Sequence, residues 1–400
     1  MIRERKDMRS NPHLKIMPLL ITVLIVSMVL PMSSDAARSR SEWTFMVYLD
    51  ADNDLDFYGY QNMDAMKAVG STKDVNIVVL WDKYDDVANL YYVGLDELEI
   101  IPRFSLNGEE VNMGDPDTLE YFVEFSMKRF RSENYVLILW DHGDDLRGCC
   151  WDDHPEDYLT HQEITGALAD VELDILAFDA CVEGMVEVVY EYAWSETQID
   201  YFVATEGYVP FSGYPYTQLL NALTENPEMS AFELSTIMVD EYISFYETMR
   251  PASRLVQMGV INMAYVDLIV EQLSNLAHYL EPLLQGATRE YYHGKVAAAR
   301  GAGNMGWSEY GWEGYVDLPT FVKVLSDNEI DHAAILYDTL MQGIYSRASW
   351  SMKTAEGMGI FFPNSYGSFM HNTFWHGDVY LALQFPHKGF WDFLQAYWGI

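Results

Sequence analysis

Cysteine is scarce in this chain: Cys149, Cys150 and Cys181 are the only three among 400 residues, which excludes a disulfide framework as the source of stability. Basic residues are few as well, 24 Lys and Arg against 61 Asp and Glu, for a formal charge of -37 at pH 7. A surface this acidic repels phosphate backbones and anionic lipid heads, so no nucleic-acid partner is expected, and neutral or cationic ligands are favoured. No internal repeat, low-complexity run or Pro/Ser/Gly-rich linker occurs, which argues against solenoids and against two cleanly hinged domains. The H-E-x-x-H and paired CxxC patterns of zinc sites are missing too. What is present is core-forming material. Half of the residues are hydrophobic and 14% aromatic, enough for a large buried core and incompatible with disorder as the main state. The 11 Trp and 28 Tyr read as core and interface filling.

There is one long apolar run, 16–32, behind a flank carrying Arg3, Arg5, Lys6, Arg9 and Lys15, and Ser34-Asp35-Ala36 after it offers small residues to a signal peptidase. Residues 1–36 are therefore expected to be a signal peptide or a retained membrane anchor, the apolar run being long for the first and short for the second. Both put the remaining chain outside the cytoplasm.

From Trp43 onward short apolar runs alternate with helical patterns, the rhythm of an α/β sheet with crossover helices. Strands are expected at 44–49, 75–81, 135–140, 175–178 and 199–204, continuous apolar runs that suit strands covered on both faces. Helices are expected at 54–69, 116–131, 162–170 and 183–194, with Pro116 in a first turn. Residues 85–114 read as a hairpin at the sheet edge. After Tyr216 longer helices follow, at 217–225, 230–248, 264–285 and 329–346, with strands at 255–261 and 357–362. The expected organisation is a catalytic α/β unit over 43–216 and a helix-rich region over 217–400 packed on its sheet.

Candidate chemistry gathers at two strand ends. One apolar strand stops at His142-Gly143 and another at Asp179-Ala180-Cys181, and in open α/β sheets sites assemble at the carboxyl ends of parallel strands. An imidazole can take the thiol proton and later hand one to a leaving amine, while the Gly143 and Cys181 N–H groups could hold the reacting oxygen. Inert packing is the competing reading of a strand-end Cys.

The stretches WTFMVYLDADNDLD, LILWDHG, ILAFDACVEGMVEV and TEGYVPFSGYPY, with GYVDLPTFVKVL and GMGIFFP later, resemble the clostripain family of cysteine peptidases over 43–365. The resemblance implies a caspase-like three-layer α/β/α sandwich with a mostly parallel sheet and a helical C-terminal extension. It also implies an endopeptidase in which Cys181 is the nucleophile and His142 the base of a dyad, with no third carboxylate required. Asp179 falls where the family carries the acid that receives a basic side chain, so the expected substrates are peptides or proteins with Arg or Lys at P1. A carboxylate at the base of a pocket suits that pairing; capping a helix from Val182 is the alternative. Glu206 is a second candidate for lining the pocket, with surface solvation as the alternative. Gly213-Tyr214 stands where the family more usually has Gly-Trp. A catalytically inactive surface binding protein of the same fold is the rival function, and a carbohydrate-active enzyme using paired carboxylates a more distant one.

Weaker features carry competing readings. DADNDLD over 50–56 does not fit an EF-hand, with Leu55 and Gln61 where Gly and Glu are needed. Asp52 or Asp54 is expected to cap the next helix instead, no cofactor is expected to be required, and calcium is left open because some relatives of clostripain need it. His154 and His161 among acids invite a zinc reading that no spacing supports. Cys149-Cys150 could form a redox latch with Cys181. Arg147, the one basic residue between His142 and Cys181, lies in a Gly-containing acidic stretch. It is a candidate for self-processing at Arg147-Gly148, with a counter-ion role toward Asp144 or Asp145 as the alternative.

Overall fold

A computed structural model describes residues 40–400 except 196, 250–255, 306–313, 351, 353 and 371–376. The expected signal peptide or anchor within 1–36, with its apolar run at 16–32, lies outside the described residues. Among those residues no helix is long and apolar enough to cross a membrane.

In chain order the strands are β1 Ser41–Ala51, β2 Val75–Lys83, β3 Asp86–Gly94, β4 Glu97–Ile100, β5 Ser132–Trp140, β6 Gly148–Asp153, β7 Glu156–Thr160, β8 Glu172–Asp179, β9 Gln198–Ala204, β10 Gln257–Asn262, β11 Tyr315–Asp317, β12 Ile344–Ala348 and β13 Gly359–Phe361. The main sheet runs β12-β10-β9-β8-β5-β1-β2-β3-β4. Its centre, β9-β8-β5-β1-β2, is parallel, while β3 and β4 form the antiparallel edge hairpin expected for 85–114.

The continuous apolar runs are explained by burial on both faces. Along β1, Phe45, Val47 and Leu49 enter one core with Met63 of α1 (Asp56–Lys67). Met46 and Tyr48 point the other way, into a core with Phe122 of α2 (Pro116–Arg129), Ile164 of α3 (His161–Ala167) and Val188 of α4 (Val186–Trp194). Leu219 of α5 (Tyr216–Glu225) and Val239 of α6 (Ala231–Thr248) cover the α1 face, and Leu273 of α7 (Val266–Leu280) the opposite one. The result is the three-layer α/β/α sandwich. Helix starts follow local chemistry: the Asp115 side chain accepts the Asp117 N–H ahead of Pro116, and Ser230 with Glu233 forms a capping box.

Two expectations are corrected. Neither Asp52 nor Asp54 caps α1; the Asn53 side chain accepts the Leu55 N–H at 2.8 Å, and α1 starts without a side-chain cap. The helical pattern at 329–346 breaks at Gly343, because 344–348 pairs with the edge strand β10 as β12. Cys149-Cys150 lies in a small hairpin of β6 and β7.

Candidate active site

The chain moves outward from β1 to β2, then returns to β5 on the other side of β1 and continues to β8. At such a reversal neighbouring loops diverge and leave a crevice at the carboxyl ends of the strands. Leu49 lies opposite Trp140 and Trp140 opposite Asp179, so β1, β5 and β8 stop at the same edge. His142 and Cys181, each two residues past its strand, line one cavity of about 660 Å³ together with Trp151, Tyr158, Val209 and Phe211.

The two side chains share that space without a direct bond between them. Cys181 Sγ accepts the Val209 N–H at 3.3 Å and faces the Val209 carbonyl oxygen at 3.8 Å. His142 Nε2 is 2.7 Å from Asp54 Oδ1. Burial pushes the Cys181 thiol up to about 11; the Val209 N–H opposes this, and the charges of Asp179 and Asp141 add to it. At rest the thiol is protonated.

Gly143 is dictated by close approach. A Cβ there would sit 2.2 Å from the Cys181 carbonyl oxygen and 2.7 Å from both Cys181 N and Glu183 Oε1. Among the described residues neither the Gly143 N–H nor the Cys181 N–H has an acceptor, which leaves two donors beside the thiol. Glu183, which sequence reasoning missed, is fully buried against this glycine. Burial raises its carboxyl well above the usual range. It lies 3.4 Å from His161, whose ring meets the Asp145 carbonyl oxygen at 2.7 Å and the Tyr192 hydroxyl at 3.2 Å. Burial pushes His161 down to about 4. The floor beneath Gly143 is thus polar and buried.

Asp179 ends a narrow space of about 50 Å³ that it shares with Cys181, Trp140, Val209 and Gly213. Its Oδ2 accepts the Tyr214 N–H and the Tyr216 hydroxyl, both at 2.9 Å, while Oδ1 is buried with no hydrogen-bond partner among the described residues. Burial pushes this carboxyl up to about 7 against those two hydrogen bonds. Gly213 has φ +63, and a Cβ there would meet Asp179 Oδ2 at 2.6 Å. Asp179 caps no helix, since α4 begins only at Val186.

Glu206 is placed elsewhere. Its Oε1 accepts the Gly357 N–H at 2.6 Å, its own N–H goes to Gln257 Oε1 at 2.8 Å, and it lines neither space. The turn after β9 aims it at the C-terminal strands instead of the pocket. Arg147 pairs with Asp144 and lies over the Tyr158 ring, 5.7 Å from the centroid. Cys149 and Cys150 are free and buried, their sulfurs 3.7 Å apart; Cys149 lines the large cavity. His154 is held by Asp52 at 2.9 Å, apart from the buried His161.

Acids crowd behind the strand ends. Asp50 lies in register with Asp82, and Asp141 and Asp152 adjoin them. Among the described residues no three His, Cys, Asp or Glu are arranged to hold a metal. Asp152 is occupied by the Met113 and His154 N–H groups, and Asp141 by Asn53 and the Trp151 N–H. Both carboxyls are thus already engaged by protein donors.

Burial instead raises Asp82 to about 8 and Asp141 and Asp152 each to about 7. These folded values lie above the unfolded ones near ~3.9, so between about pH 4 and 8 the native state binds more protons. The stability these groups contribute is complete below ~4 and is lost as pH rises through about 7 to 8. The thermal midpoint should fall from pH 6 to pH 9. Asp82→Asn, which keeps an acceptor for the Lys83 N–H, should flatten that fall; an unchanged slope would show that Asp82 does not titrate there.

Residues 47–398 match the sequence profile of the clostripain family, peptidase family C11. The chain belongs to the clostripain family. It is 27% identical to clostripain of Hathewaya histolytica, in an alignment covering 48% of this chain and 44% of that protein, so the chain spans less than half the length of this curated relative. A solved secreted C11 cysteine protease from Bacteroides thetaiotaomicron, in complex with an irreversible peptide inhibitor, shares the fold at TM-score 0.67 and 16% identity, over 88% of this chain and 99% of that one. An inactive zymogen C11 protease from Parabacteroides distasonis matches at TM-score 0.67 and 15% identity, over 88% and 98%. Within this clostripain-family fold the features that sequence reasoning did not single out are Asp54 beside His142, Glu183 under Gly143, and the Val209 backbone against the thiol.

Proposed function

We propose that this clostripain-family chain is a cysteine endopeptidase that works outside the cytoplasm and cuts after Arg or Lys through an acyl-enzyme on Cys181. The observation that carries the reading is one cavity holding a thiol, an imidazole and two unengaged N–H donors, with a side slot ending on the unpartnered Oδ1 of Asp179. A P1 guanidinium or ammonium entering the slot meets Asp179. Because the slot is narrow, the Val209 to Phe211 segment has to yield, which frees Sγ from the Val209 N–H. His142 then takes the thiol proton as Sγ attacks the carbonyl carbon, and the oxyanion is held by the Gly143 and Cys181 N–H groups. The imidazolium protonates the departing amine, and water releases the acyl group with His142 again as base. Thiol, imidazole and backbone supply each step, so no cofactor enters. The basic flank and apolar run at the N-terminus support export, as does the secreted relative from Bacteroides thetaiotaomicron. The same specificity makes Arg147-Gly148 a self-cleavage site once the Asp144 pair opens.

The test is a panel of fluorogenic peptides ending in Arg, Lys, Asp or Leu, followed by labelling with an Arg-bearing irreversible electrophile. Turnover of the Arg and Lys peptides and a mass adduct on Cys181, with Cys149 and Cys150 unmodified, is expected. Preferred cutting after Asp or Leu would overturn the specificity, and an adduct elsewhere the nucleophile.

A further inference from the structure

His142 reaches a carboxylate that the dyad scheme leaves out. Its Nε2 lies 2.7 Å from Asp54 Oδ1. Asp54 stands three residues past the end of β1, in a turn tied to the segment that carries His142. Asn53 accepts the Leu55 N–H at 2.8 Å and donates through Nδ2 to Asp141 Oδ1 at 2.8 Å and to the Trp151 carbonyl at 2.7 Å. Asp141 is the residue before His142, so the two backbones that present the pair are fixed to each other. The Asp54 side chain is 81% exposed and has no other hydrogen bond or ion pair among the described residues, so packing does not explain where it points.

We propose that Asp54 is a positioning residue for catalysis, accepting the Nε2–H of His142 and leaving the Nδ1 lone pair to take the Cys181 thiol proton. The inference rests on the reading of Cys181 as nucleophile and His142 as base. A neutral imidazole carries its proton on one nitrogen and accepts on the other, and the partner of one decides the role of the second. In the attacking step the S–H bond breaks, the proton passes to Nδ1 and the S–C bond forms. The imidazolium so created faces the Asp54 carboxylate, and its Nδ1 proton later leaves with the amine. In the free enzyme water competes for the pair; a peptide lying over the cavity displaces that water and strengthens it.

Asp54→Ala, Asp54→Asn and Asp54→Glu, assayed on an Arg peptide beside wild type and Cys181→Ala, test the proposal. The Ala and Asn variants should lose about 10- to 100-fold in kcat, part of what a positioned base supplies. KM and the thermal midpoint should be unchanged, and Asp54→Glu should recover most of the rate. An unaltered kcat in Asp54→Ala, a KM rise with kcat intact, or no recovery with Glu would overturn it while leaving the nucleophile standing. Equal turnover by wild type and Cys181→Ala would instead overturn the underlying reading, and this proposal with it.

Discussion

Cys181→Ala is expected to lose turnover of Arg and Lys peptides by on the order of 10⁴-fold or more, the scale seen when the nucleophile of a cooperating site is removed. The other thiols cannot substitute. Cys149 and Cys150 are buried in the β6 segment, and burial holds Cys150 well above the ordinary thiol range. The variant should stay folded, because the sulfur it removes bonds only to the Val209 backbone among the described residues. The same protein reports on self-processing. Wild type should yield a fragment beginning at Gly148, while Cys181→Ala and Arg147→Ala run as single chains on a denaturing gel. Cleavage requires Arg147 to leave both Asp144 and the Tyr158 ring. An active wild type that remains one chain would end the self-processing idea and leave Cys181 in place, whereas activity surviving in Cys181→Ala would remove the nucleophile.

That His142 and Cys181 come to one cavity could be read from the sequence because an all-buried parallel strand writes an unbroken apolar run, and the end of that run marks the edge where sites form. β5 and β8 did so clearly. Asp54 could not be read this way. It is one of four alternating acids in 50–56, and what selects it is the placement of β1 beside β5, a long-range fact that local pattern does not hold. Glu183 carries no local signal that would set it apart from the other acids of the chain. It is buried because α4 begins only at Val186 and the preceding residues run inward beneath Gly143. Glu206 failed for the opposite reason: its distance in sequence from the nucleophile was a fair guide to neighbourhood, but the direction of the turn after β9 was not. The hairpin of β6 and β7 was hidden because its acidic residues lack the alternation of a half-buried sheet. β12 was hidden because the helical pattern before it continues past the residue where pairing with β10 takes over.

Asp179→Asn should separate charge from structure at the base of the slot. The Asn carbonyl can still accept the Tyr214 N–H and the Tyr216 hydroxyl, so the local fold is kept. What disappears is the negative charge behind the unpartnered Oδ1. A desolvated ion pair broken from one side costs about 2–5 kcal/mol, so kcat/KM for an Arg peptide should fall about 30- to 5,000-fold while a Leu peptide changes little. The pH dependence has a definite sign. With the Asp179 carboxyl raised to about 7, a P1 cation must displace a proton below that value, so wild-type kcat/KM for Arg should rise with pH up to about 7 and then flatten. Asp179→Asn should lose that limb. A second readout comes from the thiol, because the Asp179 charge is among the causes that hold Cys181 up at about 11. Removing it should speed alkylation of Cys181 by iodoacetamide in the absence of substrate, even as cleavage after Arg collapses. In wild type a bound P1 cation would cancel the same charge, so the correct side chain both fills the slot and lowers the cost of forming the thiolate. A uniform loss across Arg and Leu peptides, with alkylation unchanged, would make Asp179 a structural acid and sever specificity from activation.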